Sequence, residues 1–251
     1  YISLLITGFI PLYQNFMLAV FTTDADIGNY KAAINFTTLI TVLTIPITTA
    51  LLPAFSKLDA STTQKIKTFF KLANKYTTIL ILPITILIII FSNEIVQIIY
   101  GSTYQSAPLF LATYCLLYLL VGLGYLTLTS FYNGLGETKT TLKISLITFL
   151  TLAVLSPILT KINGAQGLII AYLIASTAGT SYGSYTARTK FKIEFDTKSI
   201  VKIYLVSILS SIPPIILLQF SPLPKLLNLT AGALLYLFTY ATLTPLARII
   251  T

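Results

Sequence analysis

The chain has 251 residues, of which 55% are hydrophobic and 9% charged, and its mean hydropathy of +0.87 leaves too little polar surface to cover a soluble domain of this size. The net charge of +9 does not mark a nucleic-acid partner: a phosphate-binding patch is contiguous or helical, whereas these cations are scattered between long apolar runs. The composition is that of a polytopic membrane protein.

Eight segments reach the roughly 20 apolar residues that a helix needs to cross about 30 Å of hydrocarbon. They are Tyr1 to Phe21, Tyr30 to Phe55, Phe69 to Phe91, Ala107 to Tyr132, Thr140 to Leu159, Ala165 to Ala187, Ile200 to Leu218, and Leu227 to Ile250. Backbone amides in lipid must be satisfied internally, and no run alternates with period 2, so helices are expected rather than a barrel and the fold class is all-α. Tyr1 is not a start methionine and opens directly inside an apolar run. The expectation is a C-terminal part of a longer protein, and an even number of spans would let another even-numbered block of helices precede it.

The first segment contains Pro11 and the amides Gln14 and Asn15; the second contains Asn35, Pro46 and Pro53. Polar groups at membrane depth face protein or water rather than acyl chains, so these amides either bond neighbouring helices or line a hydrated cavity. Further prolines interrupt the third segment at Pro83 and the seventh at Pro213 and Pro214. Lys67, Lys71 and Lys75 recur every four residues, a helical stripe leading into the third segment that reads as a solvated polar face. Phe191, Ile193 and Phe195 alternate with charged residues and read as an extended loop dipping apolar side chains into the membrane interface. Asn228-Leu-Thr230 matches a glycosylation acceptor formally, but lies too near the start of the last segment to serve as one.

Cations set the orientation, because short loops rich in Lys and Arg are retained in the cytoplasm. The even-numbered gaps carry Lys57, Lys65, Lys67, Lys71 and Lys75, then Lys139 and Lys143, then Arg188, Lys190, Lys192, Lys198 and Lys202; Arg248 follows the last segment. The odd-numbered gaps carry only Lys31, Lys161 and Lys225, with Asp24, Asp26 and Glu94 among them. Both ends of the chain are therefore expected in the cytoplasm.

Enzyme chemistry finds no footing. There is no His, and the one cysteine, Cys115, sits inside the fourth segment as a small core residue. No paired carboxylates have the spacing a membrane transferase would use; the cytoplasmic gaps offer only Asp59, Glu137, Glu194 and Asp196. No cofactor and no metal site is expected, and no acid lies in a helix core to relay protons.

Several strings resemble those of the multidrug/oligosaccharidyl-lipid/polysaccharide exporter superfamily. Ile45-Pro46, with Ala50 to Leu58, is similar to the end of its eighth helix, and Gly28 to Ala33 to that helix's start. Asn93 to Ala107 resembles its short external helix and glycine turn at Gly101, Asn133 to Lys139 its turn between the tenth and eleventh helices, and Gly164 to Gly167 the start of the twelfth. The resemblance runs from about Asp24 to Ala175, and is strongest to the polysaccharide-biosynthesis branch, the O-antigen-type flippases. It implies a fourteen-helix transporter of two six-helix lobes, with residues 1–187 forming the second lobe and 188–251 two terminal helices. It also implies a flippase that moves a lipid-linked oligosaccharide from the cytoplasmic to the external leaflet by alternating access, its partners being that substrate, the bilayer and the first lobe of the same chain. The first helices of each lobe line the cavity in this superfamily, which makes Tyr13, Gln14, Asn15, Tyr30, Lys31 and Asn35 the candidate lining residues. A cation-coupled multidrug exporter of the same superfamily and a non-transporting membrane scaffold are the alternatives.

Overall fold

The computed structural model describes residues 2–58, 63–220 and 224–249, and its regular structure is entirely helical. Tyr1, Asp59 and Ile250, assigned above to the first span, a loop and the last span, lie outside the described residues. Helix α1 (Ile2–Phe21) turns at Thr22 and Thr23 into α2 (Asp24–Ser56). Thr23 caps α2 by accepting the Asp26 N–H at 3.2 Å, and Asp24 and Asp26 place negative charge in the first turn, where the exposed N–H groups favour it. Then follow α3 (Thr63–Ile90), the short α4 (Ser92–Tyr100), α5 (Ala107–Cys115), a 3-10 stretch (Leu116–Leu123) and α6 (Thr127–Gly134). The chain ends in α7 (Thr138–Lys190), α8 (Thr197–Leu209), α9 (Ile212–Phe220) and α10 (Lys225–Leu246).

Among the described residues six helical segments are long and apolar enough to cross a bilayer, and a seventh arises if the bent pair α5 to α6 counts as one span. The sequence reading has eight because it divides α7. A straight helix of its 53 residues would be about 80 Å long, far more than a bilayer's thickness. At Asn163 and Gly164 the backbone leaves the helical region, with Gly164 at a φ of 56° that favours glycine. The arms on either side of this break fold back on each other. A Cβ on Gly167 would lie 1.9 Å from the Leu159 carbonyl oxygen, one on Gly179 2.1 Å from Thr148 Oγ1, and one on Gly183 2.9 Å from Ile144 Cδ1. Partners that move down one arm as they move up the other define an antiparallel hairpin, and Ala171, Ala175, Gly179 and Gly183 form the small-residue seam that lets its backbones approach.

The bent pair turns by 47° around Gly124, whose φ is 90°. Such a bend frees backbone groups that must find partners at membrane depth. Asn74 Nδ2 of α3 donates to the Gly122 carbonyl at 3.0 Å, Ser184 Oγ donates to the Leu123 carbonyl at 2.6 Å, and the Tyr204 hydroxyl donates to the Leu119 carbonyl. The seventh predicted segment is likewise broken, at Ser210 and Ser211 just before the proline pair, into α8 and α9. Helix α8 packs on α3, α9 packs on α10, and α10 packs on α3 and α4, with Tyr240 donating to the Ile79 carbonyl at 3.0 Å.

One large core runs through the bundle, and a smaller aromatic core closes the lysine-rich end. There Phe55, Phe70, Phe131 and Tyr132 receive the α7–α8 loop: Phe191 meets Phe131 at 5.2 Å between ring centroids, Phe195 meets Phe70 at 5.4 Å, and Ile193 is buried. The apolar side chains of this loop thus turn into the protein rather than into the membrane interface, because the converging ends of α2, α3, α6 and α7 offer them an aromatic pocket. The lysine stripe departs from its expectation for the same reason. Lys71 is exposed and pairs with Asp196 at 3.7 Å, but Lys75 is only 7% exposed. Burial favours the neutral form of Asp196, yet hydrogen bonds from the Ser199 hydroxyl and N–H and the charges of Lys71 and Lys75 outweigh it, holding the carboxyl below the usual aspartate range.

At the opposite end Asn29 Oδ1 accepts the N–H groups of Ser106 and Ala107 at 3.1 and 3.0 Å, so that α2 caps the start of α5. The Gly101 turn and the α7 hairpin break lie at this end as well, beside the first turn of α2. Asn228 is buried in α10, out of reach of any modification. Cys115 is a fully buried free thiol.

Candidate functional site

Helices α1 and α2 share the turn at Thr22 and Thr23, so residues equally far from it on either side face each other. A cleft of about 320 Å³ lies between them, lined by Pro11, Gln14, Asn15, Tyr30, Lys31, Ile34 and Asn35. Five of the six sequence-derived candidates come together here. Gln14 and Tyr30 form its floor, 4% and 3% exposed, while Asn15, Lys31 and Asn35 form an exposed rim. Asn35 Nδ2 donates to the Tyr100 hydroxyl at 3.4 Å, which holds one rim amide against α4. Tyr100 in turn meets Phe36 edge-on at 5.5 Å.

The floor carries the informative chemistry. Gln14 Nε2 and the Tyr30 hydroxyl are buried without a hydrogen-bond partner. An unpaired buried donor of this kind costs about 1–3 kcal/mol, and two of them side by side in a cleft form a place where a polar ligand or water would bind more readily than apolar surface. Lys31 makes no ion pair among the described residues, so its charge at the rim is available to an anion. Among the described residues no cluster of His, Cys, Asp or Glu could hold a metal.

The sixth candidate, Tyr13, points the other way. It donates to the Ala153 carbonyl at 3.2 Å, accepts from Ser156 Oγ at 3.1 Å and meets Phe149 edge-on at 5.6 Å, fastening α1 to α7. One residue of helix rotates a side chain by about 100°, which separates Tyr13 from Gln14.

A second cavity, of about 370 Å³, was not foreseen from the sequence. It lies between α1, α2, α6 and both arms of α7, nearer the lysine-rich end, and hydroxyl groups line it. The signal was present as Thr44 and Thr48, Ser145 and Thr148, and Ser176 and Thr180, pairs spaced to share one helix face. Hydroxyls in helices usually bond their own backbone one turn back, as Thr48 does to the Thr44 carbonyl at 3.0 Å, so such pairs do not announce a site.

A family model described as "Lipid II flippase MurJ" matches residues 6–237. A solved structure described as "Lipid II flippase MurJ, inward closed conformation" superposes with a TM-score of 0.80 over 97% of this chain at 20% identity, a likeness of fold. The chain spans 52% of the length of that structure. No match was found among curated proteins. The superfamily that the glycine and proline motifs resemble is the right one, and within it the matching family is the Lipid II flippase MurJ family rather than the O-antigen-type branch. The match also reaches beyond the stretch from Asp24 to Ala175 in both directions. The chain is an all-α polytopic membrane protein and belongs to the Lipid II flippase MurJ family, whose members are transporters rather than enzymes.

Proposed function

We propose that this chain forms the second lobe and two further helices of a flippase that carries lipid II, a lipid-linked peptidoglycan precursor, across the cytoplasmic membrane. The observation that carries the reading is the family match over residues 6–237, joined to a polar cleft on the helices where the superfamily resemblance puts the cavity wall. Eight spans follow if the two arms of α7 each cross the membrane, with residues 1–187 as the lobe, 188–251 as the additional helices and both chain ends cytoplasmic. All the lysine-rich gaps gather at one end of the bundle, which supports that orientation.

The chemistry of the cleft suits a glycan headgroup. Gln14, Asn15 and Asn35 offer donors and acceptors to hydroxyls, Tyr30 a hydroxyl that lacks a partner, and Lys31 a charge for the diphosphate. From the cleft, Lys31, Asn35 and Thr38 are exposed positions along one side of α2, before that side turns apolar at Val42 and Ile45. No covalent step is involved; binding the headgroup and rocking one lobe against the other suffices.

The test is leaflet sidedness of labelled lipid II in vesicles carrying the complete protein, against empty vesicles and the Gln14→Ala, Asn15→Ala variant. Protein-dependent appearance of the headgroup on the far leaflet, slowed in the variant, supports the reading. Absence of movement for lipid II and other lipid-linked glycans would shift the assignment to drug export or to a scaffold.

A further inference from the structure

We infer that the hydroxyl-lined cavity inside this lobe is a binding pocket for a neutral sugar, separate from the cleft at the other end of α1 and α2. The inference goes beyond the flippase reading and is tested by binding alone, so the two can fail independently.

The geometry gives the pocket a way in. From their shared turn α1 and α2 diverge, α1 packing chiefly on α7 and touching α2 far less. Thr7 and Ile10 of α1 and Thr44 and Thr48 of α2 line the cavity close to the ends farthest from that turn. The gap between the two helices is therefore the mouth, on the lysine-rich side. The volume of about 370 Å³ falls in the range of roughly 300–1,000 Å³ usual for small-molecule pockets.

The lining selects among ligand classes by exclusion. None of the side chains around the cavity is a Lys, Arg, Asp or Glu, so a phosphate, a carboxylate or an organic cation would be desolvated here without a counter-charge. An acyl chain would bury hydroxyls against hydrocarbon and strand them, which a pocket of this composition penalises. The hydroxyls of Thr129 and Thr180 have no hydrogen-bond partner among the described residues, although a helical threonine has its own backbone within reach. A sugar meets such a lining with both donors and acceptors, and Tyr118, Tyr125 and Tyr172 complete it with aromatic surface and further hydroxyls.

The experiment is saturation-transfer NMR on the complete protein in a sugar-free detergent, with glucose, N-acetylglucosamine and cellobiose as probes. Saturation transfer to at least one of them is expected, and Thr129→Val with Thr180→Val, which delete two hydroxyls of the lining, should weaken that binding at least tenfold, about fivefold for each hydroxyl. Thr180→Ser in place of valine should restore part of it, and the loss caused by the valine variants should persist in the Gln14→Ala, Asn15→Ala background, whose own cleft is separate. A pocket that holds water only would show no transfer from any probe to correctly folded protein, and that result overturns the inference; so does binding that the valine variants leave intact.

Discussion

Tyr30→Phe separates a residue kept for packing from one kept for a ligand. The Tyr30 ring is buried against the core and phenylalanine preserves it, so the substitution removes only a hydroxyl that has no partner. A buried hydroxyl left unsatisfied costs about 1–3 kcal/mol, and deleting it should stabilise the protein by that amount. For a chain of this size each kcal/mol moves the melting temperature by roughly 2–4 °C, so a rise of a few degrees is expected. Unfolding is followed in detergent with a dye that reacts with newly exposed thiols, for which the fully buried Cys115 is a built-in reporter. The same variant, reconstituted with labelled lipid II, should translocate more slowly than wild type. A melting temperature that stays level or falls would mean the hydroxyl is already satisfied, and the reasoning fails there. A higher melting temperature with unimpaired translocation would refute the assignment of Tyr30 to the substrate path.

Gly167→Ala should destabilise the protein at or above the top of the roughly 1–3 kcal/mol range for overpacking, because its Cβ would lie 1.9 Å from the Leu159 carbonyl oxygen, whereas Gly8→Ala, with nothing within 4 Å, should stay within about 0.5 kcal/mol; thermal unfolding distinguishes the two. Asn74→Ala breaks the bonds to the Gly122 carbonyl at 3.0 Å and from Thr127 Oγ1 at 3.3 Å, and interhelical bonds of this kind average about 0.6 kcal/mol each, so a loss of about 1–2 kcal/mol is expected in the same assay. Asp196 has its folded-state pKa depressed, so its stabilising effect is present above the ordinary aspartate value of about 4 and is lost as the pH falls through the folded value. Wild type should accordingly melt higher than Asp196→Asn at neutral pH, and the difference should close on acidification; a gap that persists in acid would contradict the ion-pair account.

The apolar runs made the helices legible, since a segment of about 20 residues without charges has little choice in lipid. The turns were legible too, because Gly101, Gly136 and Gly164 all adopt positive φ and mark places where a helix could not continue. What stayed hidden depended on which face of a helix meets which neighbour. Tyr13 and Gln14 are adjacent in sequence and equally polar, yet only the packing of α1 on α7 decides that one fastens two helices and the other lines a cleft. The α7–α8 loop showed its alternation in sequence, but its destination required the aromatic side chains of three other segments, α2, α3 and α6, to be in place. The internal cavity was hidden by the versatility of serine and threonine, whose hydroxyls bond their own backbone as readily as a ligand.

Both polar cavities lie along α1 and α2, and the reason is in the packing around them. The α7 hairpin is locked by backbone approaches at Gly167, Gly179 and Gly183 that leave no room for sliding, and Tyr13, together with Phe9 and Phe149 at 5.6 Å, fixes α1 to it. Helix α2 is fastened elsewhere: Ser130 donates to the Thr48 carbonyl at 3.0 Å, Gly134 fits against Leu52 and Phe55, and Asn29 caps α5. Helices α1 and α2 are thus fastened to different neighbours and touch each other only lightly along the seam between them, although α7 packs on α5, the 3-10 stretch and α6, and a two-residue turn joins α1 directly to α2. A seam with few apolar contacts is where hydrated space can persist in a protein otherwise packed to exclude it. The polar side chains of this chain that face such space, amides and a lysine near the turn and hydroxyls at the far end, are distributed along that seam.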